Sequence, residues 1–233
     1  MTRRAVRTAV VVNVIVLIVL AVVFVVDRDL ADRLTREDAA VEWLQAALFA
    51  AAALFAVVSA RCRWRADASP VAEVLVAAMM AGLIIGEVDL DRLLFGRKVI
   101  GTRFLVDTRV APGWRSLALT VMVVPPVVLA FYALRRWRGL LTAVIQALAE
   151  PAGRVFIAGV VIFGLTELFG KPLGRIPGLP RFMVEETLEL LAGNCFAVAL
   201  YADWRLKQAE QNVYALLRRT TGATIETPDP GGG

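Results

Sequence analysis

The chain has 233 residues, 58% of them hydrophobic and 20% charged, with a net charge of +5 and a sequence pI of 9.8. A mean hydropathy of +0.67 exceeds what a globular domain keeps in water, and the apolar runs repeatedly reach bilayer-crossing length, so a membrane class is expected. Histidine is absent, which excludes imidazole-ligated zinc and haem sites and histidine general bases; the arginines cluster beside apolar runs, where they meet lipid phosphates rather than nucleic acid.

The pattern predicts an all-α fold: a polytopic transmembrane helix bundle over 1–219 with about six spans, at 8–26, 42–60, 71–88, 116–134, 155–170 and 182–202. The first span has no charged residue and would cover about 28 Å, with Asn13 its main polar interruption. Thr2-Arg3-Arg4-Ala5-Val6-Arg7 before it has a twin-arginine flavour, but no Ala-x-Ala site follows, so it reads as a retained anchor. Asp27 to Asp38 reads as a charged connector. The second span is rich in alanine, which lets helix backbones approach closely and predicts a place inside the bundle. It closes on Arg61-Cys62-Arg63-Trp64-Arg65, and Ser69-Pro70 starts a third helix whose pattern continues past Glu87 as far as Gly96.

The connector 97–115 is mixed apolar and basic and is expected to lie along the membrane surface. Pro125-Pro126 should kink the fourth span. Arg135-Arg136-Trp137-Arg138 repeats the earlier arginine-tryptophan cluster, and 140–149 is apolar but too short to cross, which predicts a short interfacial or re-entrant helix between spans four and five. The fifth helix is expected to end at Gly170-Lys171-Pro172 and the sixth at Asp203-Trp204-Arg205, and the tail 220–233, rich in Gly, Pro and Thr, reads as disordered. The basic start and the two arginine-tryptophan clusters orient the bundle with both termini cytoplasmic, since charges close to span ends count most.

Under that orientation Glu42, Glu87, Glu167, Glu185, Glu186 and Glu189 all fall toward the outer side. Glu185 and Glu189 are four apart on one helix face and repel when both are ionised, so a proton, a cation or an arginine must relieve them. Glu189 lies about 10 Å along the sixth helix and should face the bundle interior. Two readings stand. In one, the acids pair locally: Glu167 with Lys171, Asp89 with Arg92, and the sixth-helix acids with Arg97, Lys98 or Arg103. In the other, Glu42, Glu87, Glu167, Glu185 and Glu189 line an outward-facing polar site that binds a hard cation through oxygen ligands alone, and no other cofactor is identifiable.

Asn13 and Asn194 read as interhelical hydrogen-bonding residues or as lining of a polar pathway. Trp43, Trp64, Trp114, Trp137 and Trp204 lie near span ends, as an interfacial belt requires. Cys62 and Cys195 read as free thiols.

At Glu42-Trp43-Leu44-Gln45 and at Glu87-Val88-Asp89-Leu90-Asp91-Arg92-Leu93-Leu94-Phe95-Gly96 the chain resembles a family of small, uncharacterised polytopic bacterial inner-membrane proteins. The resemblance implies a bacterial plasma-membrane location and a multi-pass fold; it carries over no activity and no catalytic residue.

Three functions fit these observations. The foremost is cation or cationic-solute binding or transport at the acidic site. The second is an accessory or assembly protein without chemistry of its own, whose partners are the lipid bilayer, copies of itself or other membrane proteins, and not nucleic acid. The third is a lipid-modifying enzyme using a carboxylate such as Glu189 as acid or base, for which no nucleophile motif, phosphate loop or metal-ligand spacing speaks.

Overall fold

The computed structural model describes residues 2–35, 40–66, 69–87, 113, 116, 120, 127, 131, 134–135, 137–173 and 181–221. Among these the chain forms seven helices and no strand: α1 (Thr2–Val26), α2 (Arg28–Thr35), α3 (Ala40–Arg65), α4 (Val71–Glu87), α5 (Trp137–Ala149), α6 (Pro151–Leu173) and α7 (Arg181–Thr221). The isolated described positions from Gly113 to Arg135 are also helical.

Local chemistry sets the helix ends. Asp27 caps α2, its Oδ1 accepting from Leu30 N at 2.9 Å. Pro70 begins the turn that becomes α4, its carbonyl accepting from Val74 N at 3.0 Å. A bend at Glu150 separates α5 from α6, and Pro151 opens α6, a first-turn position at which its missing N–H costs nothing. Arg154 N then donates to Glu150 O at 3.0 Å.

Side-chain contacts fix the direction of each helix. Gln45 meets Glu186, Ser59 meets Asp203 and Cys62 meets Gln211, so α3 and α7 run parallel. Arg63 near the end of α3 meets Glu73 at the start of α4, so these two are antiparallel. Ala9 packs with Cys195 and Ala199 while Asn13 reaches Leu191, which makes α1 antiparallel to α7. Phe156 contacts Phe196, and Phe163 further along α6 contacts Phe49, so α6 is antiparallel to α7 as well. One end of the bundle therefore gathers the starts of α1, α4 and α6, the end of α3 and the middle of α7; the other gathers the starts of α3 and α7.

The core lies where α3, α4, α6 and α7 meet, around Phe49, Ala52, Ala56, Met80, Ala192 and Phe196. Ala52, Ala56 and Ala60 are all buried at a spacing of four, the small-residue stripe that permits close helix approach. This is the interior position expected of the second apolar helix. Gly159 does the same for α6: a Cβ there would lie 2.9 Å from the Phe196 ring and 3.0 Å from Cys195 Cβ.

Several elements differ from the sequence-based expectation. The connector after the first apolar run contains α2, because an aspartate cap and a buried Ala31 favour one more helical segment. The last helix does not end at Asp203-Trp204-Arg205 but continues to Thr221, 41 residues or about 61 Å in all. The charges in that segment are helix-compatible and simply carry the helix past the apolar region. Likewise α6 begins at Pro151 and runs through Gly170-Lys171-Pro172 to Leu173, and the short apolar helix is α5, which starts at Trp137. Thr220 and Thr221 belong to α7; the rest of the tail lies outside the described residues, as do Pro125-Pro126, most of 97–115 and the continuation beyond Glu87.

Two of the helices are long and apolar enough to cross a membrane, over Val6–Val26 and Ala40–Arg65, and shorter apolar stretches occupy Val71–Ile85 and Pro151–Thr166.

Candidate functional site

The helix directions bring the backbone positions of Glu42, Glu87, Glu167, Glu185 and Glu189 to the same end of the bundle, on four different helices. Gln45, one turn after Glu42, anchors α3 to α7 there: it is fully buried and its Nε2 donates to the Glu186 carbonyl at 2.7 Å. Gln45 Oε1 and Thr187 Oγ1 are buried beside this contact without a hydrogen-bond partner. Glu42, Glu186 and Glu189 are each engaged in a polar interaction. The side chains of Glu87 and Glu167, and the expected partners Lys171, Arg97, Lys98 and Arg103, lie outside the described residues, as does the Asp89–Arg92 pair. Among the described residues no group of three or more Cys, Asp or Glu side chains lies close enough together to hold a metal ion.

The charged network that the structure does assemble is at the opposite end. Glu73, in the first turn of α4, is 7% exposed. Its Oε1 accepts from Lys207 Nζ at 2.7 Å and from Arg63 Nη1 at 3.3 Å. Lys207 also bonds Asp203 Oδ2 at 2.6 Å, one helical turn back on α7, and Ser59 Oγ donates to the same Asp203 oxygen at 3.2 Å. Gln211 Nε2 extends the seam by donating to the Cys62 carbonyl at 2.6 Å. Two carboxylates and two bases thus balance at the junction of α3, α4 and α7. A buried carboxylate costs several kcal/mol unless paired, so removing either base leaves Glu73 the loser. Arg63 Nε and Glu73 Oε2 remain buried without a hydrogen-bond partner.

No family model, no curated protein and no solved structure matches this chain. Its chemistry has to be read from its own residues.

A second polar contact joins α1 to α7 between these ends. Asn194 Nδ2 donates to Asn13 Oδ1 at 2.6 Å, and Asn13 Nδ2 in turn approaches Cys195 Sγ at 3.2 Å. Both asparagines are therefore interhelical hydrogen-bonding residues. Cys62 and Cys195 are free and buried, 16 positions apart in the heights at which they meet α7, since Cys62 meets Gln211; that is about 24 Å along the helix. Trp43, Trp64 and Trp137 are exposed, as belt residues are, whereas Trp204 stacks on Phe55 with ring centroids 5.6 Å apart.

Sequence reasoning missed Glu73, Asp203 and Lys207. An acid in a first helical turn is ordinary, because it offsets the helix dipole, and Asp203–Lys207 looks like a surface pair one turn apart. A carboxylate three residues past Ser69-Pro70, with no other charge in the helix before Glu87, was the available signal.

Proposed function

We propose that the chain is a six-span protein of a bacterial plasma membrane with both termini cytoplasmic, and that it acts in assembly, holding the end of α7 out of the membrane for a partner. The observation that carries this reading is the Lys207–Glu73 bridge, which ties α7 to the bundle just where it leaves the apolar region. The buried carboxylate of Glu73 serves to fix a projecting helix.

The membrane part of the reading has independent support. Only 11% of the apolar stretch of α1 is buried, and Val10, Ile15, Ile18 and Val22 are each more than half exposed, a surface that water tolerates poorly. Trp43 and Trp64 stand 21 residues apart on α3, about 31 Å, which matches the hydrocarbon thickness. Helices α4 and α6 point the same way, which supports the fourth span expected between Glu87 and Pro151. Arg4, Arg7, Arg61, Arg65, Arg154 and Arg205 fall at one end, as the positive-inside rule asks of a cytoplasmic face. The Asn13–Asn194 contact favours α1 as a resident helix rather than a leader.

A second reading, cation binding by the acids at the opposite end, is favoured by the convergence of positions 42, 87, 167, 185 and 189. Two full-length variants separate the readings in the host membrane, with photo-crosslinkers placed along 206–221. Assembly predicts that the Glu73→Gln/Lys207→Met double variant loses the adducts that the wild type forms, with no dependence of melting on Ca²⁺, Mg²⁺ or Na⁺. Cation-dependent melting and uptake that Glu189→Gln abolishes, with crosslinks unaffected by the double variant, would reject assembly in favour of the second reading.

A further inference from the structure

On α7 the residues Cys195, Ala199, Ala202, Leu206, Ala209, Val213 and Leu216 follow one another at alternating spacings of four and three. This is the a/d stripe of a heptad repeat, which keeps one face of a helix apolar. The first three are buried, at 4%, 3% and 8% exposure. Cys195 and Ala199 pack with Ala9 of α1 and Val155 of α6. Because α1 runs antiparallel to α7 and begins at Thr2, seven residues before Ala9, its cover gives out near the level of Leu206. Beyond that point the same stripe emerges: Leu206 is 41% exposed, Val213 55% and Leu216 61%.

The other side of this segment is already used. Lys207 and Gln211 bond Glu73 and the Cys62 carbonyl, and at 100° per residue they lie well round the helix from Leu206, Ala209 and Val213. Between Leu206 and Leu216, about 15 Å of helix, α7 is thus held to the bundle on one side through Lys207 and Gln211 and presents an apolar seam on the other.

We propose that the seam pairs with the same seam of a second copy of this chain, as a short parallel two-stranded coiled coil. Two features select this occupant. Copies inserted in one membrane with one topology present their α7 ends parallel and level, which an isologous twofold contact requires; this clause rests on the membrane reading above. With Leu206 and Val213 at a, Ala209 and Leu216 at d, Arg205 falls at g and Glu210 at the following e. In a parallel pair each g residue faces the e residue five positions on in the partner strand, so the two strands make two Arg205–Glu210 ion pairs. Arg205, over the Trp204 ring at 5.9 Å, and the exposed Glu210 both flank the seam.

The test uses full-length protein in membranes. Val213→Cys is oxidised with copper phenanthroline beside Tyr214→Cys, whose position is equally exposed but lies on the bolted side. The expected result is a covalent dimer at 213 several-fold more abundant than at 214, with twice the protomer mass for the uncrosslinked protein in mild detergent. Arg205→Glu alone should lower the dimer fraction several-fold, and Arg205→Glu/Glu210→Arg should restore it. Equal crosslinking at the two positions, a monomer mass, or no rescue by the charge swap overturns the pairing. A monomer whose 206–221 segment still forms Glu73- and Lys207-dependent adducts with another protein would reject the homotypic contact and leave the assembly reading intact; loss of both would reject the two together.

Discussion

Lys207 on α7 donates to Glu73 Oε1 on α4 at 2.7 Å, closing a contact between residues 134 apart in the chain. Lys207 is held from two sides, by Glu73 and by Asp203, while Glu73 has Arg63 as its second base. The two ends of the bridge are therefore unequal. Lys207→Met leaves Glu73 with one longer contact at 3.3 Å and should cost about 3 kcal/mol, whereas Glu73→Gln leaves Lys207 bonded to Asp203 and should cost about 1–2 kcal/mol. Thermal melting of both single variants and the double variant in detergent measures this, and additive single effects would show that the bridge is not a coupled pair.

The asparagine pair gives a second expectation. Asn13→Leu leaves the Asn194 amide only its longer 3.5 Å contact to the Ala9 carbonyl and should cost about 1 kcal/mol, while Asn13→Leu/Asn194→Leu removes both polar groups and should recover part of that loss. A double variant weaker than the single one would mean that the asparagines act through something other than each other.

At Gly159 α6 lies close against α7. Gly159→Leu forces side-chain atoms into the Phe196 ring and the Cys195 Cβ, so α6 must move away, at about 1–3 kcal/mol. Gly164→Leu, where a Cβ meets nothing within 4 Å, serves as its control and should leave the melting temperature nearly unchanged.

Topology is open to direct labelling. Cysteine introduced at Ala66, beside the arginines that close α3, should react only from the cytoplasmic face, and cysteine at Ala40, 26 positions earlier on the same helix, only from the outside. Native Cys62 and Cys195 are buried and should contribute little background. Labelling of Ala66→Cys from outside would invert the bundle and place the α7 extension outside the cell.

The sequence alone determined the helical class, the interior place of the alanine-rich helix and the interhelical role of Asn13 and Asn194. Each of these rests on local composition: a run of Ala52, Ala56 and Ala60 has one small face wherever it packs, and a lone amide in an apolar helix must find a partner. The same holds for the height of the acids, because position along a helix follows from counting residues from its end. What the tertiary structure decided is which charges meet. Glu189 stands out in the sequence as the deepest acid among apolar residues, yet the buried network forms around Glu73, Asp203 and Lys207, residues that look like an ordinary helix start and an ordinary surface pair. Whether a charge is buried depends on the neighbouring helices that cover it, and α7 is brought against the consecutive helices α3 and α4 by the fold and not by adjacency in the chain. The reach of α7 was hidden for a related reason. Its polar residues past Asp203 mark the end of the apolar region, but helix-compatible charges do not end a helix, and here the Lys207 and Gln211 side chains hold the continuation against α4 and α3.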